Sequence, residues 1–166
     1  MSSKLVARVV LVFLAVPSAL IAVWILVAPR SFYDDFPGLG AVWVAPDGPF
    51  NEHLLRDYGA ATLGLVVLTL CALVWLTRPM VIATGLAWLA ASLPHLAYHL
   101  RNLDPYPADE HVALVGSLAI TPILAIVLLL TARGVERESA AAPAPGGAAG
   151  GAAGGAAGDA VSAGAR

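Results

Sequence analysis

The chain has 166 residues and a formal net charge of −2, and 59% of its residues are hydrophobic whereas 12% are charged. A soluble domain of this length carries about twice that share of charge, so the composition indicates an integral membrane protein with the lipid bilayer as its main partner. The near-neutral charge excludes a basic surface for nucleic acid, and the single cysteine, Cys71, excludes an internal disulfide framework.

Four apolar segments predict four transmembrane helices, over about residues 6–28, 52–77, 79–101 and 110–132. Each is close to the roughly 20 residues that a helix needs to cross the hydrocarbon layer. Helices are the expected form because lipid leaves no other partner for backbone polar groups. The first segment ends in "LVAPR", which lacks a small-x-small cleavage site, so we expect an uncleaved span. The predicted fold class is all-α, a polytopic four-helix bundle over residues 1–138.

Ordinary helix signals mark the starts of three spans. Asn51 is expected to cap the second helix, Pro79 to occupy the first turn of the third, and Asp109 to cap the fourth. Small residues four positions apart predict close helix contacts. These pairs are Ala60 and Gly64, Ala87 and Ala91, and Ser117 and Thr121.

The loop between the first two spans is nearly thirty residues long and contains five aromatic side chains. Loops of this length are usually functional or disordered, and the aromatic residues argue against disorder. We therefore predict a flap that rests on the ends of the helices and anchors at the membrane interface. The aromatic residues are Phe32, Tyr33, Phe36, Trp43 and Phe50.

All four histidines fall near helix ends on one side of the predicted bundle. His95 and His99 are four residues apart and so share one face of the third helix. His53 and His111 open the second and fourth helices, and Asp57 lies one turn after His53. Matching the depth of Asp57 and His95 in their helices predicts that the two side chains are partners.

Four interpretations of these residues stay open. His95, His99, His53, His111 and Asp57 form a candidate ligand set for a transition metal. Two histidines on facing helices could instead hold a haem iron from both sides. In the third interpretation, they bind a polar ligand such as a quinone or a lipid headgroup. In the fourth, the residues are only a structural polar cluster at the membrane interface. The polar residues considered for that cluster are Glu52, Arg56, Asp57, Tyr98 and Arg101.

The last segment and the charge distribution predict topology. Residues 139–166 are rich in Ala, Gly and Pro and cannot bury enough apolar surface to fold, so we expect a disordered tail. Apart from Arg166 in the tail, five Lys and Arg residues fall on the side of the chain termini and three on the other side. Cytoplasmic loops are the richer ones in Lys and Arg, so both termini are expected in the cytoplasm of a bacterial cell.

Several stretches resemble a known group. The opening of the second span, "NEHLLRDYGAATLGL", resembles the DoxX-like group of small bacterial membrane proteins. More closely, "FYDDFPG", "DGPFNEHLLRDYGA" and "PHLAYHLRNLD" are similar to actinobacterial membrane proteins of uncharacterised activity built on that plan. The resemblance covers about residues 5–135. It implies a four-helix protein of the cytoplasmic membrane, and some members of the wider group are associated with quinone-linked oxidation.

Two functions follow as expectations. In the first, the chain is a scaffold, an accessory subunit or a small transport component, with a second copy or another membrane protein as a possible partner. In the second, it is a metal- or haem-binding redox protein, for which a link to quinone is one option, with a His/Asp cluster at the extracytoplasmic face. The sequence contains no nucleophile elbow or dinucleotide-binding fingerprint that would indicate a particular enzyme class.

Overall fold

The computed structural model describes residues 2–141, and helices dominate it. In chain order the elements are α1 (Ser3–Val27), α2 (Pro29–Asp35), β1 (Pro37–Gly38), β2 (Ala41–Val42), a 3₁₀ turn (Ala45–Asp47), α3 (Glu52–Trp75), α4 (Arg78–Arg101) and α5 (His111–Ala140). The two short strands pair antiparallel, with Pro37 opposite Val42 and Gly38 opposite Ala41. Helices α1, α3, α4 and α5 are long and apolar enough to cross a membrane. The predicted all-α membrane bundle is confirmed.

Each predicted span coincides with one long helix, and the largest difference in length is at α5. This helix continues to Ala140, past the predicted end of the span at 132 and into the first two residues of the predicted tail. The extension is rich in Arg and Glu, which are good helix formers although they are not apolar. The hydrophobic pattern therefore marked the membrane-crossing part, whereas the helix itself is longer. The remainder of the predicted disordered tail, 142–166, lies outside the described residues.

The helix starts follow local chemistry with one exception. The Asn51 side chain accepts a hydrogen bond from the Leu54 N–H, and Pro79 lies in the first turn of α4, so both predictions are confirmed. The predicted cap of α5 by Asp109 is wrong, because Glu110 occupies the capping position and makes no side-chain cap bond. The Glu110 carboxylate is instead engaged by a residue of the first loop, which sequence spacing does not reveal.

The four long helices pack in a definite order around an apolar core. Helix α1 packs against α3 and α5, and α4 packs against α5, while α3 and α4 contact each other less extensively. The core residues are Ala7, Val10, Leu11, Leu14, Ala72, Leu76, Val81, Trp88, Ala125, Leu128, Ala132 and Val135. Many large apolar side chains point outward, among them Leu20 (68% exposed) and Leu130 (78% exposed). Such a surface suits contact with lipid.

Close helix contacts occur at glycines other than the predicted small residues. A Cβ added at Gly59 would lie 2.8 Å from Cγ2 of Ile25, and one at Gly85 would lie 2.7 Å from Leu129. Gly64, by contrast, has open space around it. The predicted contact positions Ala60, Gly64, Ala91 and Ser117 are exposed, so those pairs do not carry the packing.

The two ends of the bundle differ in construction. At the end where α1 begins and α5 ends, here called the terminal end, the Glu138 carboxylate accepts hydrogen bonds from the Ser3 N–H (2.6 Å) and the Lys4 N–H (3.3 Å). Arg78 and Glu136 form an ion pair there (3.0 Å). The opposite end, here called the loop end, holds residues 28–51 and 102–110. All four histidines lie toward the loop end.

Candidate functional site

The segment 28–51, here called the flap, folds into a compact unit at the loop end. Helix α2 is followed by a tight hairpin with three consecutive residues of positive φ, Gly38 (92°), Leu39 (60°) and Gly40 (92°). An aromatic chain joins the flap to the end of α1: the ring centroids of Trp24 and Phe32 are 5.6 Å apart, and those of Phe32 and Phe36 are 4.7 Å apart. The predicted ordered flap is thus confirmed.

Polar contacts tie the beginning of the flap to its end. Arg30 pairs with Asp34 (2.7 Å), and its guanidinium lies over the Phe50 ring, 5.1 Å from the centroid. The carboxylate raises the pKa of Arg30 above its already high ordinary value, so the residue stays charged. The Tyr33 hydroxyl donates to the Gly48 carbonyl (2.7 Å). These contacts restrain the flap in one conformation.

Three further hydrogen bonds fasten the flap to the other elements of the loop end. The Trp43 indole N–H donates to Glu110 (2.6 Å), and the Tyr106 hydroxyl donates to the Trp43 carbonyl (3.2 Å). The Tyr98 hydroxyl donates to Asp47 (3.1 Å). Tyr106 is only 4% exposed, and burial, together with the nearby Asp47 carboxylate, raises its pKa to about 12.

Beneath these contacts, His95 and His99 form a close pair on α4. Their Nε2 atoms are 3.1 Å apart, and the rings are nearly stacked, with centroids 5.0 Å apart. His99 is 8% exposed and lies beside Tyr106, while His95 is half-buried and lies beside Tyr58 of α3. Nδ1 of His99 is buried and has no hydrogen-bond partner among the described residues. The helical spacing therefore produces the predicted shared face.

The predicted partnership of His95 with Asp57 is wrong. Asp57 lies 3.5 Å from Nε2 of His53, and both of these side chains are largely exposed. The ring nitrogen of His95 is instead paired with that of His99. Matching depth along two helices does not select a partner, because successive residues rotate by about 100° around the helix axis. Tyr58, the next residue after Asp57, is the one that α3 places beside His95.

The five predicted ligands consequently separate into three places. His95 and His99 are together, and His53 and Asp57 form an exposed pair on α3. His111 contacts the Tyr106 carbonyl through Nε2 (3.0 Å). Within residues 2–141, no three His, Cys, Asp or Glu side chains come together closely enough to hold a metal ion. The described residues of this end thus offer pairs of ligands, and His95 with His99 is the less exposed of the two pairs.

The predicted structural polar cluster is also divided. Glu52 and Arg56 form an ion pair (2.8 Å), and Arg56 additionally donates to the Leu26 carbonyl at the end of α1 (2.8 Å). Tyr98 fastens α4 to the flap through Asp47, whereas Arg101 is exposed. These residues thus join neighbouring elements separately and do not make one network.

Sequence reasoning missed the residues that surround the histidine pair. Tyr58 and Tyr106 flank the two rings, and Asp47 and Trp43 come from the flap above them. The aromatic residues of the flap were a usable signal in the sequence. The residues that they contact could not be predicted from it. Trp43 and Glu110 are 67 positions apart, and no local pattern relates such residues.

The chemistry that this arrangement permits is limited by its geometry. Two imidazole nitrogens that converge at 3.1 Å can bind one cation from the same side. They cannot serve as the two axial ligands of a haem, because those approach the iron from opposite faces and these rings share one helix. Two shallow surface grooves, one at Arg78, Ile82 and Leu86 and one at Arg8, Val12 and Phe13, do not include the histidines.

Comparison of the chain with family models, with curated proteins and with solved structures finds no match. The resemblance to the DoxX-like group therefore stays a prediction.

Proposed function

We propose that the chain is a small transport or accessory component of a bacterial cytoplasmic membrane that binds a transition-metal ion at its loop end. The observation that carries this proposal is the 3.1 Å distance between the Nε2 atoms of His95 and His99. Imidazole nitrogen suits zinc, copper and nickel, and two histidines one helical turn apart can bind the same ion.

The two rings constrain each other's protonation, and one nitrogen of His99 stays unpaired within the described part of the chain. A hydrogen bond between the two Nε2 atoms requires one ring to donate and the other to accept. Whichever tautomer His99 adopts, its Nδ1 stays buried without a hydrogen-bond partner among the described residues. Leaving a polar group unsatisfied costs about 1–3 kcal/mol, more than one neutral hydrogen bond returns. A cation bound to both Nε2 atoms would leave Nδ1 of His99 protonated and still without a partner among the described residues, so metal binding is supported by the Nε2–Nε2 distance alone.

The charge distribution supports an extracytoplasmic position for this site. Cytoplasmic segments of membrane proteins are the richer ones in Lys and Arg. The terminal end carries Lys4, Arg8, Arg78, Arg133 and Arg137, and the loop end carries Arg30, Arg56 and Arg101. With the terminal end in the cytoplasm, the pair would meet ions arriving from outside the cell.

The test is metal titration of the full chain in mild detergent, after removal of any polyhistidine tag. We expect one Zn²⁺, Cu²⁺ or Ni²⁺ ion per chain by calorimetry, with a rise in the thermal midpoint on binding. Loss of an outer partner of a metal site typically costs about 10–100-fold in affinity, so loss of a direct ligand in His95→Ala or His99→Ala should cost at least that much.

Matched controls are available in the same chain. His53→Ala and His111→Ala each remove a histidine at the loop end without touching the pair, so they should retain the wild-type affinity. If the controls lose binding while His95→Ala keeps it, the ion is bound elsewhere. If the wild-type chain binds no ion stoichiometrically, the proposal is refuted and a scaffold or accessory role without metal is favoured.

A further inference from the structure

The distance between the two imidazole nitrogens restricts which ions the pair can hold. Metal–imidazole bonds are about 2.0–2.1 Å long, so an ion bonded to two nitrogens 3.1 Å apart sees them at an angle of about 100°. This angle lies between the roughly 90° of neighbouring square-planar or octahedral positions and the roughly 109° of a tetrahedron. A linear two-coordinate ion would need the nitrogens about 4 Å apart. The spacing thus favours a bent arrangement.

The surroundings of the pair leave the rest of the coordination shell open. In the described part of the chain, the pair gains no third His, Cys, Asp or Glu ligand. His95 is half-buried, so its side of the pair is reachable, whereas His99 is enclosed next to Tyr106. A divalent ion with four or more positions would keep at least two of them for outside ligands.

We infer that His95 and His99 hold a divalent transition-metal ion at two adjacent coordination positions, and that donor groups from outside the chain complete the shell. This inference rests on the proposed metal-binding function. It adds which class of ion is bound and how that ion can be exchanged. An ion held in this way can pass to a partner that offers imidazole or carboxylate donors, because the partner can bind before the chain releases it. No covalent or redox step is involved.

The test uses the full chain loaded with one equivalent of Cu²⁺ and examined by electron paramagnetic resonance. We expect hyperfine coupling to two nitrogens, which rises to three or four when free imidazole is added and leaves the metal bound. The same chain carrying His53→Ala or His111→Ala should give identical spectra, because neither residue contacts the pair. Circular dichroism checks that each variant keeps its helical content.

The outcomes separate the inference from the function on which it rests. Binding of one ion with four nitrogens before imidazole is added would refute the open coordination positions but not the metal-binding function. A spectrum that imidazole does not change would have the same consequence. Stoichiometric binding of Cu⁺ with at least tenfold preference over Zn²⁺ would overturn the divalent, bent assignment. Absence of any bound ion would refute both.

Discussion

Tyr106 lies in the loop of residues 102–110 and contacts both the flap and the histidine pair. Its hydroxyl donates to the Trp43 carbonyl, and its ring lies 5.8 Å from that of His99. Because the side chain is almost fully buried, forming its phenolate is unfavourable and its pKa rises to about 12. Ionisation of this one phenol at alkaline pH should therefore weaken the contacts that hold the loop end together.

Tyr106→Phe should remove a late step from the alkaline titration. The folded pKa of Tyr106 lies above the ordinary value near 10, so its stabilising contribution is complete below pH 10 and is lost as the pH rises toward 12. The contribution at stake is on the order of 2–3 kcal/mol. Tyrosinate absorbance at 295 nm and the thermal midpoint, both followed from pH 9 to 12.5, measure the effect.

The control for this prediction is Tyr33→Phe, which removes a hydroxyl of the flap that donates to the Gly48 carbonyl. It should leave the late step in place. At neutral pH, Tyr106→Phe should cost only the hydrogen bond to Trp43, about 1 kcal/mol. Complete ionisation of wild-type tyrosines by pH 11 would contradict the assignment.

At the residue scale, local spacing predicts contacts within one helix but not between helices. His95 and His99 meet because four residues nearly complete a helical turn. The contact of His95 with α3 depends on how α3 is rotated, and that rotation follows from packing of its buried face, for example Gly59 on Ile25. Depth alone therefore indicated Asp57 as the partner of His95, whereas Tyr58 is the α3 residue that lies beside His95 in the packed bundle.

At the element scale, α3 shows which small residues set the distance between helices. Gly59 and Gly64 lie in the same helix, but Gly59 is buried against α1 while Gly64 is exposed with open space around it. Both satisfy the same compositional rule for close packing. The hydrophobic length of the span was predictable from sequence, whereas the choice between these glycines depends on which face meets α1.

Gly59→Ala should destabilise the bundle, and Gly64→Ala should not. The added methyl at Gly59 would come within 2.8 Å of Cγ2 of Ile25, a fully buried β-branched side chain with little freedom to move. Overpacking of this kind costs about 1–3 kcal/mol. At Gly64 the methyl meets nothing within 4 Å, and the better helix propensity of Ala should add up to about 1 kcal/mol.

Thermal unfolding of the two variants in the same detergent measures this difference. Both variants replace a glycine of α3 by alanine. A lower midpoint for Gly59→Ala alone would therefore be due to the α1–α3 contact. Equal midpoints, or a larger loss at Gly64, would contradict the described packing and would favour an intermolecular contact through the exposed face of α3.

On the scale of the whole molecule, the two ends are held together by different kinds of contact. The terminal end is closed by the Glu138 carboxylate on the start of α1 and by the Arg78–Glu136 pair. The loop end carries the flap, the buried phenol and the histidine pair. The hydrophobic pattern predicted the four spans that separate these ends, because span length and composition are local properties. It could not predict the flap's internal structure, whose contacts join residues far apart in the chain.

The orientation of these ends is the prediction on which the proposed role depends most. Replacing Cys71, which lies half-buried in α3, by Ala gives a background without thiols. In that background Asp35→Cys, on the exposed surface of the flap, should react with an impermeant maleimide in intact cells. Ser139→Cys, exposed at the terminal end, should react only after the cells are permeabilised. The reason is the excess of Lys and Arg at the terminal end, which favours its retention in the cytoplasm. The reverse labelling pattern would place His95 and His99 at the cytoplasmic face, where they would meet ions from inside the cell.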